Sequence, residues 1–328
     1  MSAHLTPRIV SLVACAAVLA PVLHSGARRA APERWLLVSD EPGNRLVMLS
    51  VATGRVVATI PVGGRPRGMA TGRDTRRVFV ALGNDDAVAV VDVTSRHVVR
   101  RLAVGKDPEQ VAVSPDAATV YVSNEEVAMA TAVDVATRRT VFSAAVGKEP
   151  EGIAVAPNGR KVYVTGESDS SVTVLDAKTG RRLTSFAVGS RPRFVVFSRD
   201  GARAYVSAEN GGTVTYVDAR ADTTVGGLVV GDRTTKPTGI ALSPDEKTLY
   251  LANGRSNEVA VIDIASRSVQ ATVPVGERPW GIALSRDGRA LYTANGRSGS
   301  VSAIDVASRR VMGTYPVGGR PYTVLLVQ

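Results

Sequence analysis

The sequence predicts an all-β protein: a seven-bladed β-propeller of four-stranded blades, closed by the C-terminal strand joining the first blade. Three observations predict it. The chain repeats itself with a period of 42 residues, each unit holds four short β-type runs, and each chain end lacks what the other supplies.

The units run in a fixed order. Each opens with a run such as VYVSN (120–124) or VYVTG (162–166), and the register Leu36, Val78, Val120, Val162, Ala204, Leu249, Leu291 keeps the period except for one step of 45 to Leu249. A second run ends on an aspartate, at Asp92, Asp134, Asp176, Asp218, Asp263 and Asp305, with Ser50 in the first unit. A third ends in Val-Gly, as at Gly63, Gly105 and Gly147, and a fourth follows a proline, as in PEGIAVAPNG from Pro150. Each run is four to eight residues long, rich in Val, Thr, Tyr and Ile, and bounded by Gly, Pro, Asn or Asp, which reads as strand. Leu36 to Gly63 supplies three such runs, and Tyr322 to Gln328 is a lone fourth. Pairing them completes a blade and removes an open sheet edge.

Composition agrees with a core of aliphatic strands. Hydrophobic residues make up 44% of the 328, charged residues 21% and aromatics 5%, with 31 glycines for turns. The expected organisation is a signal peptide over 1–27, a short extension over 28–35 and the propeller over 36–328. The signal reading rests on Arg8, the apolar run Ile9 to Leu23, too short to span a bilayer, and the small residues Ser25-Gly26-Ala27. Leu12-Val13-Ala14-Cys15 also resembles a lipoprotein box, but Ala16 to Leu23 stays apolar where a lipid-anchored chain turns polar. The net charge is +10 and most of the 40 basic residues are Arg. Those charges are scattered along the chain without interleaved aromatics, so they read as a solvated surface and not as a nucleic-acid site.

The repeat runs carry a resemblance. Val120-Tyr121-Val122-Ser123-Asn124 and Val162-Tyr163-Val164-Thr165-Gly166 resemble the signature of the YVTN β-propeller repeat family, over residues 36 to 328. The tags Arg65-Pro66-Arg67-Gly68, Asp107-Pro108-Glu109, Glu149-Pro150-Glu151-Gly152 and Arg191-Pro192-Arg193-Phe194 are similar to those of the seven-repeat propellers associated with PQQ-dependent alcohol catabolism. That resemblance implies an exported accessory protein, periplasmic or secreted, without catalytic residues of its own. Its partner would be an exported dehydrogenase, a cytochrome or a transport component.

Strand alternation sorts the loops by face. The loop before each proline strand shares a face with the loop after each VYVSN-type strand, and the Asp turns lie opposite. The recurrent aspartates are expected to fix those turns by accepting backbone N–H groups two residues on, rather than to bind metal. The residue after each proline should sit at the mouth of the central channel. These residues are Arg67, Glu109, Glu151, Arg193, Thr238, Trp280 and Tyr322, and they differ from blade to blade on a constant scaffold, which is where function sits. Asp40, Glu125, Glu126, Glu167, Glu209, Arg255 and Arg297 share that face. Two readings stay open. The ring is a polar and aromatic pocket or docking surface for a protein partner or small ligand, or it is a set of inter-blade ion pairs, Arg67 with Glu109 and Glu151 with Arg193, on a wet surface. Either way its members are expected outside the packed core, so that replacing one changes stability by no more than about 0.5 kcal/mol.

The inventory excludes much chemistry. His4, His24 and Cys15 fall in the signal segment, leaving His97 on an outermost strand, so neither a Ser-His-Asp triad nor a zinc, copper or haem site is expected. With Trp35 and Trp280 alone, the chain lacks the repeated tryptophans of quinone-binding propellers, and no phosphate loop is present. Paired Glu109 and Glu151 could divide acid and base roles, which keeps a lactonase-type hydrolase, with or without a divalent cation, as the alternative. The sequence reading is a monomeric, exported, non-catalytic binding propeller that needs no cofactor.

Overall fold

The computed structural model describes residues 1–2, 34–72 and 74–327. Residues 3–27 of the signal segment, with Cys15, and residues 28–33 of the extension lie outside the described residues.

Among the described residues twenty-eight strands, β1 to β28 in chain order, form seven four-stranded antiparallel sheets. A single turn of 3-10 helix at Gly83–Asp85 is the helical content among the described residues. Blade 1 has the order β28 (Pro321–Val327), β1 (Trp35–Asp40), β2 (Arg45–Ser50), β3 (Val56–Pro61), with β28 innermost. The other innermost strands are β4 (Pro66–Thr71), β8 (Pro108–Val113), β12 (Pro150–Val155), β16 (Pro192–Phe197), β20 (Pro237–Leu242) and β24 (Pro279–Leu284), one for each of blades 2 to 7.

The two middle strands of each blade are buried on both faces because blades stack on either side. They therefore read as continuous apolar runs, whereas outermost strands such as His97–Ala103 alternate between exposed and covered positions. The core is divided among the gaps between blades. Val88, Val90 and Leu102 of blade 2 meet Val120, Val122 and Val133 of blade 3, and Leu36 and Val38 of blade 1 meet Tyr292 and Ala294 of blade 7. Closure is as the chain ends require: Trp35 pairs with Val327 and Leu37 with Leu325. The Thr323 amide donates to Ser39 Oγ at 2.9 Å, and the Arg320 amide to Asp40 Oδ1 at 3.0 Å.

The Asp turns are structural, with one difference of detail. Asp134, Asp176, Asp263 and Asp305 accept the amide three residues on, at 2.7–2.8 Å, and Asp176 and Asp218 accept those both two and three residues on. In blade 1 the turn is closed by the Gly54 amide on the Ser50 carbonyl at 2.8 Å.

Two devices fix the channel mouth. The hydroxyls of Ser39, Ser123 and Ser207, each at the fourth position of a VYVSN-type run, donate to the backbone carbonyls of Arg67, Glu151 and Thr238 on the next blade. Just below, Gly68, Gly152, Gly239 and Gly281 let neighbouring innermost strands approach backbone to backbone. A Cβ on Gly152 would lie 2.3 Å from the Arg193 carbonyl oxygen, and one on Gly239 2.5 Å from that of Trp280. Gly152→Ala is expected to lose about 1–3 kcal/mol of stability through forced separation of two blades. Urea unfolding that shows no loss would mean the inner strands part freely.

Candidate channel-mouth site

Each innermost strand begins at a proline, and the residue before it is turned into the left-handed region in six blades. Arg65, Asp107, Glu149, Arg191, Lys236 and Arg278 have φ between 44° and 57°. A residue before proline is normally extended, so this kink is held by its surroundings. One result is visible in the contacts. The residues on both sides of a proline reach the same acids: Arg65 and Arg67 both meet Glu109, and Arg191 and Arg193 both meet Glu167 and Glu209.

The ring is one connected network. Arg67 is ion-paired with Glu109, Nε lying 2.8 Å from Oε2, with one hydrogen bond from Nη1 to Oε1 at 3.0 Å, and it also donates to the Tyr322 hydroxyl at 2.8 Å. That hydroxyl donates to Glu151 Oε1 at 2.5 Å. Glu151 also meets Arg193 at 3.1 Å, and Arg193 bonds Glu209 at 2.7 Å and contacts Glu167. Both expected pairs, Arg67 with Glu109 and Glu151 with Arg193, are present, and Tyr322 joins them. The Arg67 guanidinium stacks 4.3 Å over the Tyr322 ring, and Arg193 and Arg278 lie 5.0 and 4.7 Å from that of Trp280.

Two expectations are corrected. The ring is not a wet rim: Glu109 is 0% exposed, Glu151 1% and Arg193 4%. The pre-proline arginines and the aromatic pair cover it, so its substitution cannot be nearly free. Thr238 takes no part in the opening. Its hydroxyl is buried 3.1–3.2 Å from the carbonyl oxygens of Ala252, Pro279 and Trp280, among which its one hydrogen is placed, because a short side chain next to Gly239 reaches only the neighbouring backbone. Glu167 and Glu209, placed on this face by topology, belong to the network, while Glu126 stays exposed and Asp40 is taken by Arg45 at 2.9 Å. His97 is on the outer rim, exposed.

Burial sets the protonation. It pushes the Glu109 carboxyl up to about 10, with the Glu151 charge adding to the effect against Arg67. Burial acts on Glu151 in the same direction, but Arg193, Arg67 and the Tyr322 hydroxyl outweigh it and hold that carboxyl below its usual range. Glu167 is raised to about 7 by burial and by Glu151. Asp107, Glu109 and Glu125 are close enough to gather round a cation, but the Arg65 guanidinium already contacts all three.

Above the network a cavity of about 340 Å³ is walled by Arg67, Arg278, Arg297, Arg320, Trp280 and Tyr322, with Glu41 at its edge. An adjoining cavity of about 590 Å³ shares Arg278 and Arg297 and adds Lys236 and Arg255. The Trp280 Nε1 donor is buried without an acceptor. The sequence reading missed Arg65, Arg191, Arg278 and Arg320, although the signal was there: each stands immediately before the proline whose following residue was chosen.

Two family models match parts of the chain. A model described as "Lactonase, 7-bladed beta-propeller" covers residues 182–311, and one described as "YNCE-like beta-propeller" covers residues 17–119. Both describe β-propellers. No curated protein matches the chain significantly. Solved structures match over most of their length at low identity. A hydrazine synthase of Kuenenia stuttgartiensis is 21% identical with a TM-score of 0.72, covering 79% of this chain and 88% of its own. A putative 6-phosphogluconolactonase from Bacteroides fragilis is 17% identical with a TM-score of 0.77, covering 90% and 98%. A functionally unknown protein from Desulfotomaculum acetoxidans is 16% identical with a TM-score of 0.79, covering 90% and 99%. At such identities the likeness is one of fold.

Proposed function

We propose that the protein is a binding propeller that takes a small organic anion at the channel mouth and carries out no chemistry on it. One observation carries this reading: four guanidiniums converge around the Trp280–Tyr322 pair, whose ring centroids are 5.2 Å apart, over a buried network. Arginine forks match carboxylate and phosphate oxygens, and the aromatic faces suit the body of a ring-containing ligand. Calorimetric titration with benzene-1,2,4-tricarboxylate, with 6-phosphogluconate and with inorganic phosphate tests it. At least one organic anion should bind, and Arg297→Ala with Arg320→Ala should weaken it tenfold or more at an unchanged melting temperature. Equal heats for the wild type and this variant would refute the site.

The same proposal places the protein outside the cytoplasm as an accessory to PQQ-dependent alcohol oxidation, docking an exported dehydrogenase or cytochrome through this face. Its support is the likeness of the Arg-Pro-Arg-Gly and Glu-Pro-Glu-Gly tags, and co-purification from the exported fraction tests it.

A second reading, lactone hydrolysis, is favoured by the lactonase model over residues 182–311 and by the opposite protonation of Glu109 and Glu151. It is weakened by geometry, since both carboxylates are already enclosed by arginines and Tyr322. Turnover of 6-phosphogluconolactone by the purified protein, abolished in Glu151→Gln, would establish it in place of the first.

A further inference from the structure

The charges that look scattered in the sequence are sorted by the fold. Among the described residues, the turns on the face opposite the channel mouth, counted with the strand-end residues that flank them, hold twenty Lys and Arg against thirteen Asp and Glu, the six turn aspartates included. The loops of the mouth face, counted the same way, hold eleven against fourteen. Ion pairing widens the contrast. Of the eighteen ion pairs among the described residues, only Lys161–Asp222 and Arg220–Asp200 lie on the Asp-turn face. The mouth consumes its charge internally, and the opposite face presents exposed arginines such as Arg55, Arg96, Arg138 and Arg181 outward.

A second observation is independent of charge. Apart from Met1, ten large apolar side chains are exposed among the described residues, and eight of them fall within the first three residues of an outermost strand, the end next to the basic turns. They include Val99, Val141, Val225 and Met312, and six of the seven blades contribute. A ring of cations bordered by exposed apolar side chains is the composition of a surface that rests at a lipid headgroup boundary, where each cation near an anionic leaflet adds attraction and the apolar groups enter the interface.

We infer that the Asp-turn face is a docking surface for an anionic phospholipid bilayer, which leaves the channel mouth turned toward solvent and open to its ligand. The inference is independent of what the mouth binds. A soluble polyelectrolyte such as a sulfated or phosphorylated polymer would use the same cations but would have no need of the valines, and this difference separates the two.

The test is sedimentation with vesicles of phosphatidylcholine containing 30% phosphatidylglycerol, at low salt, against vesicles of phosphatidylcholine alone. The mature chain should partition onto the anionic vesicles at least tenfold more strongly, and raising the salt should release it as screening shortens the reach of the charges. Arg138→Glu with Arg181→Glu and Arg309→Glu should weaken partitioning at least tenfold. Lys148→Glu with Arg233→Glu, on the mouth face, should leave it unchanged. Val141→Ser with Met312→Ser should weaken it while binding to heparin beads stays the same. All these positions are exposed, and an unchanged melting temperature would confirm that each variant is folded. Equal binding to both vesicle types, or no effect of the Asp-turn charge reversals, overturns the inference. If the Val141 and Met312 variant partitions like wild type while heparin competes fully, the face is a site for a soluble polyanion and not for a bilayer.

Discussion

Replacing Arg193 by Met is expected to remove about 3–5 kcal/mol of folding stability at pH 8, and less at pH 5. Arg193 is buried among Glu151, Glu167 and Glu209 and is the cation all three share. Removing one partner of a buried ionic cluster leaves uncompensated charge, which costs about that much. Without the guanidinium the remaining carboxylates bind protons more readily in the folded state than in the unfolded one, so acid relieves the loss. Glu109→Gln should be milder. Burial raises the Glu109 carboxyl to about 10 and so disfavours its charged form in the folded state, and the neutral Gln should therefore cost less than the Arg193 change, about 1–2 kcal/mol at pH 7. The wild type carries the same sign. Glu109 and Glu167 bind protons more tightly folded than unfolded, so their contribution is complete below the ordinary carboxylate range. It is lost as pH rises, first toward 7 for Glu167 and then toward 10 for Glu109. Wild-type stability should therefore fall between pH 5 and 8, and Glu109→Gln should flatten that slope. Urea titrations at the two pH values decide it; an Arg193→Met loss independent of pH would show that the cluster is not ionised as described.

Ending the chain after Arg320 should abolish the native fold. The truncation removes β28, leaves β1 as an unpaired inner edge, and strips Val324 from the core shared with blade 7 and Val327 from that shared with blade 2. It also removes the Tyr322 hydroxyl that links Arg67 to Glu151. An exposed apolar strand edge is a template for association. The truncated protein should be recovered as aggregate, and a soluble monomer with a wild-type melting transition would show that the first blade is stable with three strands.

The fold was legible because its signals are local and repeated. The period, the Asp turns and the proline starts are short-range patterns, and the lone strand at the C-terminus could be matched to the incomplete first unit by counting. Which residues stand at the mouth was legible for the same reason. Their state was not. Arg65 reaches Glu109, and Arg191 and Arg278 reach Glu209, from a backbone kink before proline, and a residue before proline is not ordinarily expected to kink. Thr238 shows the converse failure, since a short side chain at a ring position is drawn into the wall. The sorting of charge between faces is hidden in the sequence because successive turns alternate faces along the chain, which makes an ordered distribution look uniform.

Closure by the last strand also has a consequence in time. Ser39 and Thr323 meet across 284 residues, so the first three strands of blade 1 are synthesised long before the strand that completes them. Six blades can form from contiguous sequence, each nucleating locally, but the seventh joint waits for the whole chain. The entropy of bringing such distant ends together must be met in that final step, and contacts of such high sequence separation slow folding. The polypeptide therefore remains an open, incompletely sealed ring until β28 has been synthesised.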